Sequence, residues 1–298
     1  MFRLLKEGDT VGIVAPASPA TAARIEPAVA WLESSGYRVR LGASIGESDR
    51  FLAGTDVDRA RDLVDMFSDD AIGAIFAARG GYGSSRLLDL IDWSIVGANT
   101  KPFVGFSDTT ALQLALYQKT GMVSLTGFVL ASDASEGPPV ADIERDLSGA
   151  LQRGSFDPVR GLSHDHSLSG KLVGGCLSLV VHLIGTPYFP DLKGHILMLE
   201  DVGESPYRVD RMLTQLILSR TLEKATAVLF GTFHKCSGDE EDGTVDDVLA
   251  DFSLRSPCPV VTGLPYGHGP VRRVLPIGAT VQISDGTMTF EGWERRIG

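Results

Sequence analysis

Apolar and polar positions follow two periods along the chain. In the first half, short apolar runs punctuate longer segments whose apolar residues recur every three or four positions. "TVGIVAP" (10–16) reads as a buried strand. The segment after it, "SPATAARIEPAVAWLESSG", has helical spacing, with Ser18 as N-cap, Pro19 at the first helical position and Gly36 past the end. "YRVRLG" is a short strand, and "DVDRARDLVDMFSD" a helix with Ala60, Leu63, Val64 and Phe67 on one face. "AIGAIFAAR" (71–79) is a strand entering a glycine-rich turn, and "SSRLLDLID" a short helix. "KPFVGF" is a strand and "DTTALQLALYQKTG" a helix closed by Gly121. This alternation predicts a parallel sheet covered on both faces.

Residues 131–170 are polar and rich in Ser, Gly and Pro, with one helix around 140–152. A domain boundary is expected there: an N-terminal α/β domain over 1–155, a linker over 156–167 and a smaller C-terminal α/β domain, rich in β structure, over 168–298. The second half opens with "KLVGGCLSLVVHLIGTPYF", a short strand and an apolar helix. "HILMLE" (195–200) is a strand. "SPYRVDRMLTQLILSR" is a helix with Ser205 as N-cap, Pro206 at N1 and Val209, Met212, Leu213, Leu216 and Ile217 at the helical period. "AVLFGTF" is a strand and "TVDDVLADFS" a helix; the tail "VLPIGATVQISDGTMTFEG" reads as β, turning at Asp285-Gly286. There is no internal repeat.

Composition narrows the possibilities. The 298 residues are 43% hydrophobic and 22% charged, which suits a globular chain with a sizeable core. The net charge of -11 and the lack of a basic cluster argue against nucleic-acid binding. Three sparse cysteines, Cys176, Cys236 and Cys258, form no disulfide pattern and suit a reducing compartment. No CxxC suggests zinc, and neither metal nor organic cofactor is expected. In "MFRLLKEGDTVGIVAPASPATAA", Lys6, Glu7 and Asp9 interrupt the apolar stretch, so it reads as a first strand rather than an export signal. No run approaches the roughly 18 apolar residues that span a membrane. The expected location is the cytoplasm.

Three places carry candidate chemistry. Ser107, in "KPFVGFSDTTALQLAL", stands between a strand and an immediate helix, the layout of a nucleophile elbow. Such a turn lifts a hydroxyl above the carboxyl edge of the sheet, where the helix N-terminus favours a developing oxyanion. The second glycine of G-x-S-x-G is missing, and a serine there also serves as a plain helix cap. In "ARGGYGSSRLL" (78–88), Gly80, Gly81 and Gly83 follow a strand. The stretch matches neither a P-loop nor G-x-G-x-x-G, but its backbone N–H groups suit an anion or oxyanion. Taken alone it reads first as a tight strand-to-helix turn, and its place one βα unit before Ser107 raises the functional reading. A serine nucleophile also needs a base, usually a histidine oriented by a carboxylate. His182 lies in an apolar run and reads as a core residue, His164 and His166 lie in the polar linker, and His195 begins a strand. His234 and His268 remain as bases, and Glu200, Asp201 and Glu204 as carboxylates; the residues by themselves leave these choices open.

Together the segments "VGIVAPAS", "ARGGYGSSRLLDLIDW", "KPFVGFSDTTAL", "GTPYFPDLKGHILMLEDVGESPYRVDRML" and "LPYGHGPVRRVLPIGA", in this order, resemble the LD-carboxypeptidase family of serine peptidases, also called muramoyltetrapeptide carboxypeptidases. The resemblance runs nearly end to end. It implies a Ser-Glu-His triad, carried by Ser107, Glu200 and His268, and an oxyanion hole from the backbone N–H groups of Gly81 and Asp108. It implies an N-terminal domain resembling class I glutamine amidotransferases, a second domain supplying Glu200 and His268, a cytoplasmic location and a homodimer. The family usually has asparagine where this chain has Cys176.

The activity so implied is release of the terminal D-alanine of a muropeptide during peptidoglycan recycling, by hydrolysis of an L-to-D peptide bond. Arg79, Gly80, Tyr82 and Arg86 are the candidates for holding the substrate and its terminal carboxylate. Three rivals stand beside it. One is a self-immunity peptidase of the same family that cleaves a peptide–nucleotide antibiotic. Another is a non-catalytic two-domain ligand-binding protein, and the last a cysteine amidase using Cys176.

Overall fold

The computed structural model describes residues 4–164, 166–239 and 243–291. The described chain divides into two compact units. One comprises the residues up to Phe156 together with Val274–Ile277; the other comprises Asp157–Arg273 and the residues from Gly278 onward.

The first unit is built on strands β1 (Thr10–Val14), β2 (Arg38–Leu41), β3 (Ile72–Ala77), β4 (Phe103–Gly105) and β5 (Ser124–Thr126). They pair in parallel in the order β5-β4-β3-β1-β2. A late strand, Leu275–Ile277, closes the β5 edge antiparallel, so the sheet is mixed rather than wholly parallel. β3 is buried at all six positions, as expected for a central parallel strand. Helices α1 (Ala22–Ser34), α2 (Asp56–Ser68), α3 (Trp93–Ala98) and α4 (Thr110–Thr120) connect the strands, and α5 (Leu130–Asp133) and α6 (Ala141–Ser148) follow β5. Gly121 closes α4 in the left-handed conformation, as the sequence suggests. "SSRLLDLID" makes a 3-10 turn at Ser84–Leu87 instead of an α-helix.

Helix α1 starts later than the spacing suggests. Its N-cap position is Thr21, not Ser18. The Ser18 hydroxyl accepts a hydrogen bond from the Tyr82 N–H at 3.1 Å, so a partner distant in sequence takes the oxygen that a local cap would have used. Strand order reverses between β1 and β3, and the carboxyl ends beside such a switch point are where α/β sheets bind ligands.

The second unit contains β6 (Val159–Arg160), β7 (Leu168–Cys176), β8 (His195–Val202), β9 (Ala227–His234) and β10 (Val260–Val261). The late strand of the first unit is β11, and β12 (Thr280–Ser284) and β13 (Thr287–Glu291) end the series. The second sheet has the order β10-β9-β8-β7-β12-β13-β6, parallel from β10 to β7 and antiparallel beyond. Both Asp285 and Gly286 have positive φ, the signature of the tight hairpin joining β12 to β13. β6 lies inside the stretch expected as linker, and β11 lies inside the stretch assigned to the C-terminal domain yet pairs with the first sheet. Edge pairing explains both, because a two- or three-residue strand carries no periodic signal that reveals its partner.

Helices α7 (Leu177–His182), α8 (Pro206–Leu218) and α9 (Val245–Arg255) complete the unit. α8 begins at Pro206 and buries Val209, Leu213 and Leu216. α9 starts on a capping box between Thr244 and Asp247. α7 has only six residues, so His182 falls at its last turn and is exposed, not in the core as its apolar neighbours suggest. Among the described residues no helix is long and apolar enough to cross a membrane.

Gly174, in β7, has φ +121°, and a Cβ there would collide with the Met198 carbonyl of β8. Gly174→Ala is therefore expected to cost about 3 kcal/mol or more, from backbone strain plus overpacking between two central strands. Urea unfolding of the variant against the wild type measures it.

Candidate active site

In the first unit, the carboxyl ends of β1, β3 and β4 supply three loops. β4 ends at Gly105 and Phe106 is extended, and Ser107 then adopts φ 62°, a left-handed conformation unusual for a non-glycine residue. A 3-10 turn, Ser107–Thr109, leads into α4, and neither start is capped by a side chain. The strained turn is thus an elbow in geometry, and the Ser107 hydroxyl does not serve as the helix cap.

The glycine-rich loop after β3 lies against this turn. A Cβ at Gly80 would sit 2.8 Å from Ser107 Cβ and 3.2 Å from its Oγ, so only glycine allows the approach. The loop is fixed from the Ser107 side by Asp108. Its buried carboxylate accepts from the N–H groups of Gly83 (3.2 Å) and Ser84 (2.8 Å), and the Ser84 hydroxyl donates to the Asp108 carbonyl at 2.7 Å. On the other side Ser18 joins in: its N–H donates to the Gly80 carbonyl (3.3 Å) and its hydroxyl accepts from Tyr82 N–H.

In the second unit Glu200 lies near the end of β8 and is 0% exposed. The β8–β9 register shifts between Leu199 and Asp201, where Glu200 alone faces Gly231 and Thr232, so the extra residue lies in β9. Glu200 Oε2 accepts from His268 Nδ1 at 2.8 Å and from the His268 backbone N–H at 3.2 Å. The segment bearing His268 is itself laid along β9, with Thr232 N–H donating to the Tyr266 carbonyl at 2.7 Å and a bridge between Thr232 and Gly267. Burial pushes the Glu200 carboxyl above the usual carboxylate range, and its bonds to His268 only partly offset this.

This geometry separates residues the sequence left as alternatives. Successive strand residues face opposite sides, and Asp201 turns away from His268. It accepts from the Ser178 N–H at the start of α7 (2.8 Å), from the Cys176 thiol (3.3 Å) and from its own neighbour Val202 N–H (2.8 Å). Glu204 pairs with Arg208 at 3.6 Å. His234 ends β9, and its carbonyl accepts from Gly203 N–H. His164 and His166 stack edge to face with each other, and His195 Nδ1 bonds to the Lys193 carbonyl. Among the described residues no three His, Cys, Asp or Glu side chains gather as a metal site.

The remaining candidates differ in availability. Arg86 closes its fork on Asp56, with contacts of 2.6 to 3.0 Å. Arg79 commits one Nη1 bond to the Pro19 carbonyl at 3.0 Å. Tyr82 is exposed and meets Phe51 edge-on at 5.5 Å. Arg59 and Asp56, absent from the sequence reading, also belong here. Arg59 is fully buried and donates to the carbonyls of Pro16 and Gly83 and to Asp56. The available signal is its spacing, because Arg59 precedes Ala60, Leu63 and Phe67 on the buried face of α2, where an unpartnered cation would be costly.

Cys176 is buried, and its thiol is pushed well above the usual range by desolvation and by the Glu200 and Asp201 carboxylates. That is the reverse of an activated nucleophile. Because deprotonation requires a pH above the ordinary thiol range, iodoacetamide near neutral pH is expected to leave Cys176 unmodified in the folded protein. Peptide mass spectrometry reads the outcome, and labelling at neutral pH comparable to that of the denatured chain would contradict it.

Comparison with known proteins adds family evidence to the geometry. Residues 11–127 match the family model described as the LD-carboxypeptidase N-terminal domain, and residues 169–283 match the LD-carboxypeptidase C-terminal domain. The chain is 35% identical over 294 residues to a probable murein peptide carboxypeptidase of Bacillus subtilis, covering 96% of this chain and 92% of that one. The structure of a muramoyltetrapeptide carboxypeptidase from Oxalobacter formigenes superposes with a TM-score of 0.86 at 32% identity, covering 94% of this chain and 97% of that one. A microcin C7 self-immunity protein in complex with aspartyl sulfamoyl adenosine gives 0.89 at 25% identity, covering 99% of each chain. With both family domains matched in order and identity above 30% across nearly full length, the chain belongs to the LD-carboxypeptidase family and is a carboxypeptidase of the serine type.

Proposed function

We propose that this carboxypeptidase hydrolyses the L-to-D peptide bond that releases the terminal D-alanine of muramoyl tetrapeptides, through Ser107, His268 and Glu200. The observation that carries the reading is the 2.8 Å bond between His268 Nδ1 and the buried Glu200 carboxylate. A histidine held through Nδ1–H by a carboxylate has Nε2 as its base, which is the orientation general-base catalysis by a triad needs. In the first step Nε2 of His268 takes the Ser107 proton as Oγ attacks the substrate carbonyl. The N–H groups of Gly81 and Asp108 receive the oxyanion. His268 then protonates the leaving D-alanine amine, and water, activated by the same imidazole, releases the acyl group and restores Ser107. Glu200 orients the imidazole and balances its charge while it is protonated.

For the terminal carboxylate we propose Arg79 with the Gly80–Tyr82 segment. Arginine offers five N–H donors, and one bond of Arg79 goes to Pro19. Arg86, already paired with Asp56, is set aside from that role. We further propose a cytoplasmic homodimer with a first domain like that of class I glutamine amidotransferases. The names of the Bacillus and Oxalobacter relatives support the murein substrate. The likeness to the self-immunity protein supports a second reading, in which an acyl sulfamoyl nucleotide is cleaved instead.

The test is an assay of free D-alanine from muramoyl tetrapeptide, run beside aspartyl sulfamoyl adenosine. Release of D-alanine by the wild type, with loss of about 10⁴-fold or more in Ser107→Ala, is expected. Turnover of the nucleotide alone would select the second reading, and turnover of neither would overturn both.

The pH profile gives an independent check. Catalysis needs Glu200 ionised, and burial raises its carboxyl above the ordinary range. Activity is therefore expected to be full at pH above that raised value and to fall as pH drops through it, earlier than an ordinary carboxylate would dictate. Rate measurements from pH 4 to 8 test this, and in Glu200→Gln the limb should be displaced or lost along with most of the rate.

A further inference from the structure

Buried arginines are rare unless they are paired. Arg59 is among the largest fully buried side chains of this protein, yet it lies on α2, outside the loops that bear Ser107, Gly81 and Asp108. Its Nη1 donates both to the Pro16 carbonyl, after β1, and to the Gly83 carbonyl at 3.1 Å, after β3. Its Nη2 donates to Asp56, whose carboxylate also takes the fork of Arg86 from the 3-10 turn after the glycine loop. One cation therefore ties the β1 loop, the glycine loop and the start of α2 together.

Gly83 is held twice. Its carbonyl accepts from Arg59, while the Ser84 N–H of that same peptide unit, like the Gly83 N–H of the unit before it, donates to Asp108, the neighbour of Ser107. A peptide unit fixed at both its acceptor and its donor cannot rotate without breaking a charge-assisted bond. Gly81 lies only two residues upstream, at φ +103°, a conformation that glycine reaches freely and leaves freely. Nothing intrinsic to the Gly80–Gly81 backbone fixes the direction of its N–H groups. The clamp on Gly83 and the Ser18 contacts supply that direction from outside.

We infer that Arg59 is a positioning residue for the acyl-transfer reaction: by gripping the Gly83 carbonyl against Asp108 it sets the direction of the glycine-loop N–H groups that receive the oxyanion. The inference rests on the function proposed above and deepens it. Its energetic signature is specific. Oxyanion donors act on charge that develops in the transition state, so misdirecting them lowers kcat and leaves substrate binding largely intact. Lysine does not substitute, because a single ammonium cannot serve two carbonyls and a carboxylate in the planar arrangement of a guanidinium.

The experiment compares full-length Arg59→Met and Arg59→Lys with Leu63→Ala, a buried control on the same helix whose side chain has no polar atom to hold a loop. Folding is checked by circular dichroism and thermal unfolding, kcat and KM are measured on muramoyl tetrapeptide, and amide exchange is followed over residues 80–84. Both Arg59 variants are expected to lose about 10²-fold in kcat with little change in KM, and to exchange faster over 80–84, whereas Leu63→Ala loses stability but keeps kcat. If Arg59→Met does not fold, Arg59→Lys is read by the same criteria. A folded Arg59 variant with wild-type kcat, or one whose loss resembles that of Leu63→Ala, overturns the inference. Amide exchange needs no turnover, so unchanged protection over 80–84 overturns it even if the substrate assignment fails, and faster exchange upholds the clamp in that case.

Discussion

The carboxylate of Asp108 is the contact on which the first unit's functional geometry depends. It follows Ser107 in sequence, so every bond it makes to the glycine loop is also a constraint on the elbow. Two backbone N–H groups on one buried carboxylate remove donors that would otherwise be stranded away from water, and they do so with charge-assisted bonds. The alternative, a loop satisfied by solvent, would leave the glycines free to turn. Burial of the charge is tolerable because the N–H groups and the nearby Arg59 surround it.

The second unit follows the same principle with different chemistry. Two adjacent acids, Glu200 and Asp201, leave the end of one strand on opposite faces and do unlike work. Asp201 satisfies the start of α7 and pins the Cys176 thiol. Glu200 receives both the ring and the backbone N–H of His268, which fixes the position and the tautomer of the imidazole together. Ordinary alternation along β8 sends the neighbouring acids to opposite faces, and the positive-φ Gly174 lets β7 pass close to β8. Cys176, flanked by two carboxylates, is thereby kept as an inert thiol.

Much of this was legible one segment at a time. The period of α2 and α8, the Pro206 start, the Gly121 stop and the Asp285-Gly286 turn are local physics and hold as read. Ser18, four residues ahead of the first helical residue, has the look of a cap in sequence until a distant N–H competes for its hydroxyl. The apolar neighbours of His182 predict burial only if the helix continues, and α7 does not. The role of Arg59 is hidden from the sequence for a related reason. Its place on an apolar face is visible in sequence, but the two carbonyls that justify it come from loops 43 and 24 residues away.

Sequence by itself determined the family, the longer strands and helices in their order, and the residue types able to perform acyl transfer, because these rest on local periodicity and on motifs whose spacing survives in one dimension. Tertiary structure decided which acid faces which histidine, where the Ser18 hydroxyl goes, and that Leu275–Ile277 pairs with β5. Those outcomes depend on which donors and acceptors meet once the strands have paired. A chain read residue by residue carries each group's capacity to bond, but not the partner that reaches it first.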